Sequence, residues 1–128
     1  MATLNTTVKV TEGNFTRFNN ILSTLTTGDN LDFRQITATD AISANSAGTA
    51  LTFSTDIGDA GLCVVENQSA TKKGYFIQGT TADLGAADYI VVPPSSAVMI
   101  YLKPTTAALS FACEDATDVD FKVYVHED

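Results

Sequence analysis

The sequence contains no tryptophan and only one histidine, His126. Nucleophilic triads and zinc sites generally need histidine as a base or a ligand, so such an enzyme would have to be built around this one side chain. His126 is followed only by Glu127 and Asp128, at the end of a terminal strand that is free to fray. We therefore predict that the chain is not an enzyme and that it holds no cofactor and no metal.

Positive charge is also scarce. The sequence has 7 lysines and arginines against 15 aspartates and glutamates, which gives a net charge of −8 and a pI near 4.3. A field of this sign opposes binding to nucleic-acid phosphates and to anionic membranes. The composition therefore predicts no nucleic-acid partner and no membrane partner. It fits solubility, or docking onto a basic patch of another protein.

Long apolar runs and cysteines are few as well. No segment approaches the roughly 18 apolar residues of a membrane helix, and residues 1–10 lack the pattern of a secretory signal, so we expect the chain to be made in a cytoplasm. The two cysteines, Cys63 and Cys113, fall in predicted strands. Pairing them would close a loop of about 50 residues and contribute roughly 4 kcal/mol. In a reducing compartment we expect two buried free thiols instead.

What the sequence does contain is alternation of apolar and polar residues, above all over residues 98–125. A period of two is typical of antiparallel strands with one buried face. Tyr101 and Tyr124 fall on the outward parity. The inward parity comprises Val98, Ile100, Leu102, Leu109, Phe111, Val119, Phe121, Val123 and Val125.

Turn residues divide the chain into nine or ten short strands at the spacing of about 8–12 residues that indicates a sandwich or barrel. We predict an all-β, antiparallel, jelly-roll-like sandwich as a single domain over residues 1–128. Residues 62–67 are apolar on both parities until Glu66, as in a central strand covered on both faces. Residues 62–78 are interpreted as a hairpin.

The stretch of residues 15–25 fits two different periods. Its apolar residues recur at helical spacing, but Ile21, Ser23 and Leu25 also fit a two-residue period, and few residues here are strong helix formers. A turn signal, Gly28-Asp29-Asn30, follows. We favour extended structure, so that residues 1–30 form either an N-terminal arm or the first strands of the domain.

Two local patterns could bind ligands. Glu114, Asp115, Asp118 and Asp120 supply oxygen atoms of the kind that calcium prefers, but they lack the spacing of known calcium loops, and an acidic hairpin turn is the favoured interpretation. The four tyrosines could form a sugar platform. Tyrosine serves more often as an amphipathic contact in a protein interface, and we favour that role for Tyr101 and Tyr124.

The order of features over residues 61–128 resembles small β-sandwich virion proteins of tailed bacteriophages that decorate or cement the capsid. A strand ends in Glu66-Asn67, an alternating strand covers residues 98–102, Pro104 lies in the next turn, and Glu127-Asp128 ends the last strand. A Leu-x-Phe-Ala strand at residues 109–112 lies between. The chain departs from such proteins at residues 93–96, where Pro-Pro-Ser-Ser stands in place of Pro-Gly.

The resemblance implies a jelly-roll-like sandwich without an enzymatic site, located on the capsid surface of a virion. It implies the major capsid protein as partner and a homo-oligomer, most often a trimer, with contacts through loops and the N-terminal arm. We expect Phe15, Phe18, Tyr101 and Tyr124 to make interface contacts. The alternatives are a phage tail or fibre component and a carbohydrate-binding sandwich module.

Overall fold

A computed structural model describes residues 30–128 in full, and residues 2–12 and 15–27 in their strand bounds and pairing. The chain is all-β, as predicted. A 3-10 turn, Leu84–Ala86, is present, and no helix of the described part is long and apolar enough to cross a membrane. The strands are β1 (Ala2–Glu12), β2 (Phe15–Thr27), β3 (Leu31–Ala38), β4 (Thr49–Thr52), β5 (Ala60–Asn67), β6 (Gly74–Gln78), β7 (Ile90–Val92), β8 (Ala97–Tyr101), β9 (Ala108–Cys113) and β10 (Val119–Glu127).

Eight of these strands form two four-stranded antiparallel sheets. The front sheet has the order β3-β10-β5-β8, and the back sheet has the order β4-β9-β6-β7. Along the chain, consecutive strands change sheet at every step except β6 to β7. This interleaved order is that of a jelly roll, so the predicted fold class is confirmed.

The core lies between the two sheets and is built from the inward parity of the strands. Val119, Phe121 and Val125 on β10 are at most 1% exposed. Phe121 packs against Phe111 on β9 with ring centroids 4.9 Å apart. Such a ring pair stabilises the core in addition to the free energy gained by burying apolar area. Of the residues predicted to face inward, Val98 and Ile100 are only partly buried, although they pack against this core.

The predicted hairpin over residues 62–78 is wrong. β5 belongs to the front sheet and β6 to the back sheet, so residues 68–73 cross between the sheets. The buried Asn67 holds this crossing, because its side-chain amide donates to the carbonyls of Lys72 (2.7 Å) and Val92 (3.0 Å) and its oxygen accepts from the backbone N–H of Ser69 (2.8 Å). Three satisfied partners of this kind keep a polar side chain stable in the interior.

The acidic segment 114–118 was interpreted as a hairpin turn, and this is also wrong. β9 lies in the back sheet and β10 in the front sheet, so the segment is a corner between sheets. There Asp115 accepts from Lys72 Nζ at 2.6 Å, and Glu114 accepts from the backbone N–H of Lys73 at 3.2 Å. The two crossings are thereby joined at one end of the sandwich.

The extended interpretation of residues 15–25 is confirmed, since β2 covers them. β2 pairs antiparallel with β1 in a separate two-stranded sheet, with a register shift between Thr6 and Thr7 and another between Val10 and Thr11. Phe15 and Phe18 lie on β2, and their side chains fall outside the described part of the chain.

Candidate interaction surface

The outer face of the front sheet carries a row of apolar side chains that crosses all four strands. In the register, Phe33 lies opposite Tyr124, Tyr124 opposite Val64, and Val64 opposite Met99. An adjoining row brings Leu31 opposite His126 and Leu62 opposite Tyr101. We call the following residues the apolar face: Leu31, Phe33, Leu62, Val64, Met99, Tyr101 and Tyr124.

Much of this face is open to solvent. Leu31 is 54% exposed, Phe33 48%, Tyr101 50% and Met99 38%. A contiguous apolar patch on a soluble protein marks an interaction site, whereas isolated exposed apolar residues are ordinary. Covering such side chains would contribute about 25 cal/mol for each Å² removed from water. The apolar face is therefore suited to binding another apolar surface.

Leu31 and Phe33 point outward because the inner parity of β3 begins with a charged pair. Asp32 accepts from Arg34 at Nε (3.0 Å) and Nη2 (2.7 Å), and from the backbone N–H of Ser54 (2.7 Å) beyond β4. The hydrogen bond from Arg34 is the main cause that lowers the pKa of Asp32. This pair links the margins of the two sheets, and it leaves the apolar residues of β3 on the outer side.

Aromatic contacts and one hydrogen bond fix the side chains of the apolar face. Phe33 stacks on Tyr124 with ring centroids 4.6 Å apart, which leaves Tyr124 half-buried. The Tyr101 hydroxyl donates to the Asp128 carboxylate, and this bond raises the pKa of Tyr101. Rings held in place in the free protein lose little further side-chain freedom on binding.

His126 lies within the same face and does not add positive charge to it at neutral pH. It is half-buried, and this burial lowers its pKa from the ordinary 6.5. Charged side chains lie at the other end of the sheet, where Lys122 is opposite Glu66 and the Thr37 hydroxyl donates to Asp120. The sheet thus has an apolar end and a polar end.

The two tyrosines predicted to make interface contacts, Tyr101 and Tyr124, lie on this one face on either side of β5. Their role in an interface stays a prediction, as does that of Phe15 and Phe18. Sequence reasoning did not identify Leu31, Phe33 and Met99. A signal for the face was nonetheless present in β5, which is apolar on both parities. We predicted that both of its faces are covered by other layers, but within residues 30–128 only one face is covered.

The cysteines of the sandwich are poor nucleophiles. Both are free and buried, as predicted for a reducing compartment. Burial raises the pKa of Cys63 to about 12 and also raises that of Cys113, whose thiol donates to the Asp115 carbonyl at 2.7 Å. Since the thiolate is the reactive form, the geometry favours protonated, inert thiols.

The acidic residues weighed as a calcium site are engaged with protein partners. Asp115 is bound by Lys72 and by the backbone N–H of Thr117 (2.8 Å), and Asp120 by Thr37. Among the described residues, no three His, Cys, Asp or Glu side chains are grouped so that they could hold a metal ion. The carboxylates of this corner connect loops to one another.

No protein-family model matches the sequence, and no match is found among the curated proteins. The jelly-roll topology is a fold that does not by itself define a function, whereas the apolar face is a surface suited to binding.

Proposed function

We propose that this chain is a non-enzymatic structural protein of a phage particle, which decorates or cements the capsid through protein–protein contacts. The observation that carries the proposal is the contiguous apolar face on a strongly acidic jelly roll. The order of strand features over residues 61–128, which resembles capsid decoration proteins, supports the choice of a phage particle as the setting.

The partner in this proposal is the major capsid protein. The net charge of −8 keeps the free protein in solution, while the apolar face supplies the attraction when a matching surface is present. A capsid offers many equivalent sites, and a homo-oligomer such as a trimer engages several of them at once. Linked contacts of this kind turn weak individual affinities into strong overall binding.

The test uses capsids of the phage that encodes the chain, assembled without it. We expect the purified protein to co-sediment with these particles and Phe33→Ser to weaken this binding about tenfold or more, because truncation of an aromatic anchor in an interface commonly costs about 2 kcal/mol or more. Tyr89→Ser is the matched control, since Tyr89 also pairs with an aromatic, Tyr75, but lies beside the back sheet. It should bind like the wild type.

Two results would contradict the proposal. One is the absence of any binding of the wild-type protein to capsids. The other is electron microscopy of the native particle that places the chain in the tail or a fibre. Binding on a glycan array, without binding to capsids, would favour the carbohydrate-binding alternative.

A further inference from the structure

β8 forms one edge of the front sheet, with β5 on its other side. The backbone N–H of Asn67 donates to the Ser96 carbonyl at 2.8 Å, and that of Leu102 donates to the Gly61 carbonyl at 2.9 Å. In an antiparallel ladder, residues alternate between bonding to the neighbouring strand and pointing away from it. Ser96 and Leu102 flank β8, and the residues of β8 that share their parity therefore bond to β5.

The other parity, Ala97, Met99 and Tyr101, directs its backbone N–H and C=O groups to the open edge. No other described strand pairs with β8 on that side. An open edge is a template for a further strand. The side chains of the same three residues lie on the outer face, so a strand added here would extend the apolar face.

β8 also lacks the features that usually protect an edge. Its sequence is Ala-Val-Met-Ile-Tyr, without a charged residue or a proline, whereas β3 at the opposite edge carries Asp32 and Arg34. Natural edges are commonly blocked by charge, by proline or by a bulge. Pro94 and Pro104 lie outside β8 and limit the open edge to its five residues.

The core beneath this edge is incompletely covered. Val98 and Ile100 pack against the core but remain partly exposed. A fifth strand beside β8 would place its own inward side chains next to them. Such a strand would gain backbone hydrogen bonds and would bury apolar area on both faces of the sheet.

We propose that the open edge of β8 receives an extended segment of the capsid protein, which adds a fifth strand to the front sheet. This inference rests on the proposed function. The segment is apolar on both faces of the added strand and is flanked by lysine or arginine. Glu66, opposite Ala97 on one side and Lys122 on the other, and Asp128, bonded to Tyr101, are acidic groups near the two ends of β8, and the net charge of −8 has the same sign.

Charge also distinguishes this occupant from a second copy of the chain. Two copies joined edge to edge would each bring a net charge of −8 and the same acidic groups to the junction, which opposes their association. A basic segment meets complementary charge instead.

The test compares three variants in the capsid co-sedimentation assay. Ala97→Pro removes one N–H from the open edge at the first residue of the strand, a position that tolerates proline. Met99→Lys places a charge on the edge and also on the apolar face, so Ala97→Pro and hydrogen exchange are the measurements that separate the edge from the face. Val91→Lys is the matched control, because Val91 lies on the edge strand of the back sheet and is 40% exposed, against 38% for Met99.

We expect Ala97→Pro and Met99→Lys to lower capsid affinity about tenfold or more and Val91→Lys to leave it within about twofold. Hydrogen exchange should show the amides of Met99 and Tyr101 protected in the capsid-bound wild type and not in the free protein. Thermal melting of each variant reports whether it folds. If Ala97→Pro does not fold, the exchange experiment decides.

Each other outcome overturns the inference. If the wild type binds capsids, Phe33→Ser weakens binding, Ala97→Pro binds like the wild type and the amides of Met99 and Tyr101 stay unprotected, the face is used without the edge, and the proposed function stands. If the wild type does not bind capsids, both proposals fail together. If the free protein sediments as an oligomer that Ala97→Pro dissociates, the edge pairs with a second copy.

Discussion

The ring of Phe121 occupies the space that a side chain at position 74 would need. Gly74 begins β6 in the back sheet and faces Phe121 of β10 across the core, and a Cβ atom added to Gly74 would overlap the edge of that ring. Phe121 is fully buried, with Phe111 packed against it. A glycine at the start of β6 is therefore what allows a large aromatic ring to fill the centre of the sandwich.

Gly74→Ala should lower the free energy of unfolding by about 1–3 kcal/mol, as overpacking of a filled core does. Urea denaturation followed by circular dichroism measures the change. Adding Phe121→Leu provides the control, since the smaller side chain makes room for the new methyl group. The double variant should then lose less than the sum of the single losses. Strict additivity would show that the two positions do not share this space.

At the scale of elements, the crossings between the sheets are joined by polar contacts. Residues 68–73 connect β5 to β6, and residues 114–118 connect β9 to β10. The Lys72–Asp115 ion pair, at 2.6 Å, lies between them. Both side chains are partly exposed, so solvent and salt weaken the pair. It still ties together two loops that are about 40 residues apart in sequence.

This ion pair predicts a specific pH dependence. The hydrogen bond from Lys72 lowers the pKa of Asp115 from 3.8 to about 2. A carboxyl whose pKa is lowered in the folded state stabilises the protein above its unfolded pKa, and this contribution is lost as the pH falls towards the folded value. Asp115→Asn should therefore be less stable than the wild type at neutral pH, and the difference should shrink as the pH falls from 3.8 towards about 2.

Thermal melting between pH 2 and pH 7 measures this difference, and NMR titration of the Asp115 carboxyl measures its pKa directly. The control is Asp118→Asn, because the Asp118 side chain makes no hydrogen bond to another described residue. A stability difference for Asp115→Asn that stayed constant down to pH 2 would contradict the assignment.

The strands themselves could be predicted from sequence, but their sheets could not. Alternation at Val119, Phe121 and Val123 reports which face of a strand is buried, and all three are buried as predicted. It does not report the neighbouring strand. Residues 62–78 therefore matched a hairpin, although the side chain of Asn67 turns the chain from one sheet to the other.

The apolar face could be predicted only in part, because it is assembled by strand pairings that the sequence does not reveal. Tyr101 and Tyr124 were recognisable from parity within their own strands. That they share a face with Phe33 depends on β10 pairing with both β3 and β5, which are distant in sequence. The outward direction of Phe33 depends on the Asp32–Arg34 pair at the sheet margin. Such non-local pairings leave no local pattern.

At the scale of the whole molecule, each sheet buries one thiol. Cys63 lies on β5 of the front sheet and Cys113 on β9 of the back sheet, and both are free. We expect neither to react with a thiol reagent such as DTNB in the native protein, since burial keeps them protonated and inaccessible. Both should react in urea, and a reductant should not change the melting temperature. Rapid reaction of one thiol in the native state would contradict this expectation.

The position of β10 has a consequence for synthesis of the chain. β10 follows the other described strands in sequence, yet it lies inside the front sheet between β3 and β5. β3 therefore has no neighbour in its sheet until β10 has left the ribosome. Its inward-facing apolar residues remain exposed to solvent while the intervening strands are translated. Topologies dominated by such distant pairings fold in about milliseconds to seconds. Chaperones thus have time to bind the nascent protein before its last strand closes the sheet.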